Sequence, residues 1–532
     1  MTNPTKNVFE QPAAGTVAHD EMPPGFRPQD NRSFFGHPKG LSTLFFTEMW
    51  ERFSYYGLRP LLVLFMSAAL FSGGFGFPRS MASSIVGIYA ACVYLASLPG
   101  GWIADRILGL RRAIFVGAVL ISLGHISIGF SAFAHSKIPF FLGLLCIVLG
   151  TGLLKPNISA IVGDLYPEGG ARRDAGFSIF YMGINVGAFA GQLVTGFLGE
   201  TIGWHWGFGA AGVGMLLGLI TYAIRSRRTL GDLGLEPTRH PDPAIQSRQL
   251  KTAKFILGIG VVIIAVVVAL AATGVITIDP QAVASKMTYV LVGLAVGYFV
   301  YIFAAGGLNG DEKKRVLVIF VLFVFAAIFW AAFEQAPTSL NLFARDFTNR
   351  SIGKFEIPAT WFQSVNSLFI ILLAPVFAAL WVAMARKGKE LSSPAKFALG
   401  LVMAAIGFLI MLFAAKILVA SGGKIKVSPW WLVISYFFQT LGELCLSPVG
   451  LSSMTKLSPR KYVGQMMGIW FLATSVGNLI AGLVGGKVDP EKLEQTPALF
   501  LWTTVALAGA ALVLALLAIP IRRMMRDTPA QV

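Results

Sequence analysis

The sequence predicts an all-α polytopic membrane protein of 14 transmembrane helices, arranged as six, two and six. Three observations carry that prediction. Only 13% of the 532 residues are charged, against about a quarter in a soluble domain, and the mean hydropathy is +0.69. So few charges could not cover a soluble surface of this size, which excludes a cytosolic enzyme, a disordered scaffold and a nucleic-acid binder. Apolar stretches of membrane-spanning length follow one another from residue 41 onward. Finally, the 43 Lys and Arg, set against 26 Asp and Glu, gather on alternate loops.

Residues 1–40 are polar, contain Pro23, Pro24, Pro28 and Pro38, and read as a cytoplasmic tail. They lack the charged start, short apolar run and cleavage site of a signal peptide. Spans are expected near 41–71, 81–104, 113–135, 139–163, 175–200 and 205–224, forming an N-terminal six-helix bundle over 41–225. The basic stretch 226–253, with Pro237, Pro241 and Pro243, reads as a cytoplasmic linker. Two very aliphatic spans near 254–276 and 286–307 form an inserted helical hairpin over 254–310, suited to lipid and without chemistry. The charged run Asp311 to Arg315 leads into a C-terminal six-helix bundle over 311–523. Its spans lie near 315–343, 359–385, 395–420, 429–455, 463–486 and 497–521, and a cytoplasmic tail, 524–532, follows. Two sets of six suggest an internal repeat.

An even span count puts both termini on one side. If that side is the cytoplasm, its segments hold 29 Lys/Arg and the opposite segments 11, as the positive-inside rule requires. The net charge of +17 is then mostly topological and does not signal a polyanionic partner. Cys92, Cys146 and Cys445 lie inside apolar runs and form neither a disulfide framework nor a metal-binding spacing. With no HExxH, no GxSxG and no Cys/His cluster, neither a metal cofactor nor an enzymatic activity is expected.

Seven charged residues sit well inside spans: Glu48, Glu51, Arg52, Arg59, Lys155, Glu334 and Glu443. Isolated in lipid they would cost roughly 17–25 kcal/mol together, so they must pair or face water. Glu48, Arg52 and Tyr56 follow at intervals of four, with Arg59 three further on, which places them on one helical face. Tyr181 and Asn185, Trp330 and Glu334, and Glu443 and Ser447 repeat the four-residue spacing. Lys155 precedes Pro156, where a helix break is expected. A purely structural Arg–Glu lock fits any single pair. Interhelical hydrogen bonding fits Tyr181 and Asn185, ordinary packing fits Trp330, and an interfacial location fits His125 and His135. The set of seven, drawn from both halves, fits an internal polar cavity better.

The stretch Glu48-Met49-Trp50-Glu51-Arg52-Phe53-Ser54-Tyr55-Tyr56-Gly57 resembles the ExxERFxYYG signature of the proton-coupled oligopeptide transporters, a branch of the major facilitator superfamily. Phe180 to Gly187 resembles the second signature, FYxxINxG. Gly101 to Arg106 with Gly109, Phe329 to Gln335, and Glu443 to Pro448 are similar to further family segments. The resemblance runs from about residue 41 to about 485, and two helices between the bundles resemble the bacterial members.

The resemblance implies the major facilitator superfamily fold and a proton-coupled symporter importing di- and tripeptides by alternating access. It implies a bacterial cytoplasmic (inner) membrane location, with protons as the coupling ion and no obligate protein partner. Arg52, Arg59 and Lys155 would meet the peptide carboxylate, a task suited to a guanidinium, and Glu443, with Ser447 beside it, the amine. Tyr56, Tyr94, Tyr181, Asn185 and Asn366 match pocket residues, and Trp330 and Trp470 would form apolar walls. Glu48, Glu51 and Glu334 are the proton-coupling candidates, while Arg59–Glu334 and Lys155–Glu443 are expected as gating ion pairs. The second span, Ser83 to Tyr94, lacks the His of the animal members, so carboxylates must carry the proton. Transport of another small anion or peptide-like compound, such as nitrate or a drug, is the alternative on the same fold.

Overall fold

The computed structural model describes residues 33–526 except 135, 168–169, 239–241 and 390. The expected short tail at 524–532 lies mostly outside the described residues, as does the tail at 1–32 and His135. Fourteen long helices run through the described residues, as the hydropathy pattern predicts. They are α1 (Lys39–Ser67), α2 (Arg79–Ile103), α3 (Leu110–Ala134), α4 (Lys137–Asp164), α5 (Gly170–Phe197), α6 (Trp204–Leu230), α7 (Pro243–Ala272), α8 (Pro280–Ala305) and α9 (Gly310–Phe333), followed after the short α10 (Asn341–Phe347) by α11 (Trp361–Arg386), α12 (Ser393–Ala420), α13 (Trp430–Leu457), α14 (Val463–Gly485) and α15 (Gln495–Arg526). A two-stranded ribbon, β1 (Ser351–Ile352) and β2 (Phe355–Glu356), lies between α10 and α11.

Thirteen of the long helices are apolar enough to cross a bilayer on composition alone; α1 is not among them. Its charged residues are tolerated because α1 is buried in protein around most of its circumference, between α5 and α6. Helices α1 to α6 form one group, in which α3 packs on α4 and α6, and α2 on α4. A second group joins α12 to α13 and α15, and α9 to α14 and α15. The groups meet along two seams, α2 with α14 and α5 with α11. The first seam is close because both sides carry glycine: a Cβ on Gly87 would stand 2.9 Å from the Cα of Gly482.

Four local features differ from the sequence reading. The stretch 226–253 is helical at both ends. Asp242 caps α7 with a bond from Ala244 N at 2.8 Å, and Pro243 occupies the first helical position, where it lacks only an N–H that would be orphaned anyway. The expected single span 315–343 is interrupted: α9 stops at Phe333, and a π-helical turn, Ala336–Leu340, leads into α10. Pro337 cannot donate to the Phe333 carbonyl, so Glu334 sits at the break. Pro156, by contrast, does not break α4; the Gly152 carbonyl it leaves without a helical donor lies against Gly100 of α2, where there is no side chain. His125 is not interfacial but 1% exposed within α3, beside Gly212 of α6.

The hairpin helices differ from each other. Only Ala253 of α7 is buried. α8 instead lays Ala284, Met287 and Leu291 against Ala91 of α2 and Val476 and Leu479 of α14, over the first seam. The charged run after it is the first turn of α9, where Asn309 and Glu312 form a reciprocal capping box at 2.8 and 2.9 Å.

Polar contacts between the two groups crowd at one end of the molecule. Arg79 at the start of α2 pairs with Asp346 and donates to Val488 O at 3.0 Å. Asn341 donates to Pro60 O at 2.8 Å, and Arg345 to Ser67 Oγ at 3.3 Å. At the opposite end the second seam has parted: no residue of α11 after Ile370 is buried. The cleft between the groups is therefore sealed at one end and open at the other.

Candidate functional site

The helical spacing on α1 builds the first part of the site. One turn brings Glu48 beneath Arg52, whose Nε lies 2.8 Å from Glu48 Oε1 and 2.8 Å from Glu51 Oε2. Two carboxylates thus share one guanidinium, all three side chains being almost wholly buried. Arg52 is also 5.6 Å from the Tyr55 ring centre, which itself stacks on Tyr89. Nearby, from α4, Lys155 rests its ammonium 4.1 Å from the Tyr94 ring centre, within cation–π range. Among the described residues, no carboxylate lies within 4.0 Å of Lys155.

Two turns further along α1, Arg59 reaches across to the second group. It pairs with Glu334 at the α9 break and donates to Asn478 Oδ1 of α14 at 2.7 Å. The interrupted helix explains the reach: Glu334 occupies the C-cap of α9, so its carboxylate projects from a helix end.

A cavity of about 50 Å³ adjoins this pair, lined by Tyr56, Arg59, Glu334 and Asn366 together with Gln192, Gln363, Tyr436 and Gln439. Gln192 Oε1, Gln363 Nε2, the Tyr436 hydroxyl and Gln439 Oε1 are buried without a protein partner. Leaving such groups unsatisfied costs about 1–3 kcal/mol each, and the space admits only a few water molecules. The cavity in this conformation is a polar chamber too small for a peptide. Beside it, Asn366 donates to Thr440 Oγ1 at 2.9 Å and to Glu443 Oε2 at 3.3 Å.

The structure therefore brings Tyr56, Arg59, Glu334 and Asn366 around one cavity, joins Glu443 to it through Asn366, and collects Glu48, Glu51 and Arg52 in a separate triad. The expected Lys155–Glu443 ion pair is not formed: Lys155 is engaged by Tyr94 and Glu443 by Asn366, as the cleft is open at their end. Tyr181 is 44% exposed, and its carbonyl accepts from Asn185 Nδ2 at 3.0 Å within α5. Ser447 has a buried Oγ without a partner. Trp330 packs its ring on Phe329 and Phe333. Trp470 is packed into the second group, 6.3 Å from the Phe397 ring and against Gly450. Neither tryptophan lines the chamber. The sequence reading missed Asn478, Gln192, Gln363, Tyr436 and Gln439. A signal existed for three of them: Gln363 stands three residues before Asn366, and Tyr436 and Gln439 precede Glu443 by seven and four, on the same helical face.

Comparison with known proteins adds relatives of stated kind. Residues 111–496 match the sequence profile of the POT family. The chain is 51% identical over 504 residues to the peptide transporter YePEPT of Yersinia enterocolitica subsp. palearctica, covering 94% of this chain and 98% of that one. It is 38% identical over 459 residues to a di-/tripeptide transporter of Lactococcus lactis subsp. cremoris, covering 84% and 89%. Among solved structures, it superposes on a peptide transporter POT in complex with sulfate with a TM-score of 0.83 at 42% identity, covering 93% of this chain and 97% of that one. It matches a POT family transporter in complex with 5-aminolevulinic acid with a TM-score of 0.83 at 34% identity, covering 92% and 98%. These likenesses establish the major facilitator superfamily fold.

Proposed function

Because the chain belongs to the POT family, we propose that it is a proton-coupled symporter importing di- and tripeptides by alternating access between its two helix groups. One observation carries the reading. The ion pair that ties the groups together, Arg59 with Glu334, lines the same polar cavity as Tyr56 and Asn366. Substrate, proton and closure can therefore act on one another directly.

The chemistry follows from which charges are already satisfied. Arg52 is neutralised by two carboxylates and Arg59 by one. Lys155 has no described carboxylate within 4.0 Å, although Glu51 and Glu48 act on it from further off, and Glu443 has Asn366 as its polar neighbour. An unpaired cation and an unpaired carboxylate from opposite helix groups suit a zwitterion: Lys155 takes the peptide carboxylate, and Glu443 the amine. Tyr56, Tyr94, Tyr181, Asn185 and Ser447 supply further hydrogen bonds, with Trp330 and Trp470 behind the side chains. Recognition of the two ends admits many side chains. It also admits other compounds with an amine and a carboxylate, as the relative bound to 5-aminolevulinic acid illustrates.

Glu334 couples the proton to closure. Ionised, it holds Arg59 and keeps the sealed end shut. Protonated, it leaves Arg59 with Asn478 alone, and losing one partner of a buried pair costs about 3–5 kcal/mol. That is enough to move a two-state equilibrium by orders of magnitude. The sign is that acid on the sealed side favours opening to that side. The open end carries the basic loops, so this conformation faces the cytoplasm of a bacterial inner membrane with both termini inside. The test is uptake of labelled dialanine into proteoliposomes, with and without an inward proton gradient. Gradient-driven accumulation that other dipeptides compete away is expected; no uptake and no competition would overturn the reading.

A further inference from the structure

We propose that Glu200 is a positioning residue of the transport cycle: its carboxylate latches the N-terminus of α11 to the end of α5 and must release before the sealed end can open. The inference rests on the alternation between helix groups described above. It concerns a contact remote from the Arg59–Glu334 pair and from the chamber residues of α1 and α9.

α5 ends in a π-helical turn, Leu198–Ile202, closed by Gly203 N on Leu198 O at 3.0 Å. Glu200 sits in this turn. Its Oε2 accepts from Ala359 N at 2.8 Å and its Oε1 from Thr360 N at 2.9 Å. These amides lead into α11, which has no side-chain cap of its own. A carboxylate from the other helix group thus takes the place of a capping residue, at the helix end where negative charge is favoured. Charge-assisted bonds of this kind are among the stronger ones in proteins.

The surroundings hold Glu200 in register. Arg350, after α10, approaches Glu200 Oε2 at 3.7 Å and is itself paired with Glu356 of β2 at 2.8 Å. Trp361 Nε1 donates to Leu193 O of α5 at 2.8 Å. The Phe197, Phe355 and Trp361 rings cluster beside the latch. α5 and α11 approach closely at Gly196, where a Cβ would overlap Thr360 Oγ1. The contact is confined to the first turns of α11, which has no buried residue after Ile370. The second seam is therefore held at its sealed end and parted beyond it. Arg79 with Asp346 closes the first seam at the same end, and Glu200 supplies the equivalent closure on the second.

The test uses the full-length protein with Cys92, Cys146 and Cys445 replaced, and spin labels at Phe71→Cys and Ile352→Cys. Both positions are exposed at the sealed end, one in each helix group and neither in the latch. Distance distributions are read by pulsed electron resonance in nanodiscs, so no substrate or transport is needed. Glu200→Ala is expected to raise the longer-distance population about tenfold or more relative to the parent. Glu200→Asp, which keeps the charge but is one methylene too short for both amides, is expected to follow it. Glu200→Gln keeps shape and one acceptor, should shift the population less, and preserves the test if the alanine variant fails to fold. A structural role alone would lower the folded yield without moving the distribution. If Arg79→Ala shifts the distances and all three Glu200 variants match the parent, the latch is wrong and the alternation stands. If neither Arg79→Ala nor any Glu200 variant shifts them, the latch and the alternation fall together.

Discussion

Glu334→Gln keeps the shape and removes the titration, so gradient-driven dialanine accumulation should fall to background while peptide exchange at equal pH persists. Accumulation that survives would remove Glu334 from the coupling. Gln439 allows a second test. Its Oε1 is buried without a protein partner, while its Nε2 donates to Ser435 Oγ at 2.9 Å within α13. Gln439→Leu relieves the first and breaks the second, so with Ser435→Ala added to remove the orphaned hydroxyl the melting temperature should stay near the parent value while uptake slows about tenfold; normal uptake would make the chamber a packing feature only. The legibility of these residues differs for a physical reason. A charge in an apolar span is conspicuous because lipid penalises it by several kcal/mol, so Arg59 and Glu334 stood out. Gln439, Tyr436 and Asn478 are neutral, cost far less, and look like helix-to-helix glue until the cavity is seen. Lys155–Glu443 was expected as a pair because opposite charges were read without knowing which end of the cleft is open.

Helix positions were legible because apolar length is set by bilayer thickness. The interruption after Phe333 was not, since a hydropathy window passes over Pro337 unmarked. The difference between α7 and α8 does leave a mark in the sequence, mean hydropathy reaching 3.1 in α7 and only 1.9 in the packed α8. Deleting the hairpin would expose Ala91, Val476 and Leu479 to lipid, which accepts apolar surface at little cost. A deletion variant should therefore fold and keep most of its uptake; a folded, monodisperse variant without uptake would show α8 to be a working part. Another small element is pH-sensitive. Ahead of α1, His37 Nδ1 is hydrogen-bonded to the Tyr166 hydroxyl at 2.8 Å, and burial, with Arg172 nearby, lowers its pKa below the usual 6.5. A histidine held neutral contributes its full stability above about pH 6.5 and loses it as the pH falls. The protection of the amides over residues 34–40, taken relative to the intrinsic exchange rate at each pH, should fall between pH 7 and 5, and His37→Gln should flatten that fall.

For the whole molecule, loop charge predicts which way the chain faces, whereas which end is shut needs the contacts of Arg79, Asn341 and Glu200. Impermeant maleimide applied to intact cells should label Gly353→Cys, in the β1–β2 turn, and spare Gly388→Cys, after α11; the reverse pattern would invert the topology. The burial of α1 in protein has a consequence for how the chain is made. Of the described helices α1 is the first to leave the ribosome, and its two acids and two arginines would cost about 10–14 kcal/mol in lipid. Its main packing partners, α5 and α6, are synthesised more than a hundred residues later. Biosynthesis must therefore hold α1 outside the hydrocarbon until those helices exist. In nascent chains arrested after α4, a Leu58→Cys thiol in α1 should react with a water-soluble maleimide, and in chains arrested after α6 it should be protected.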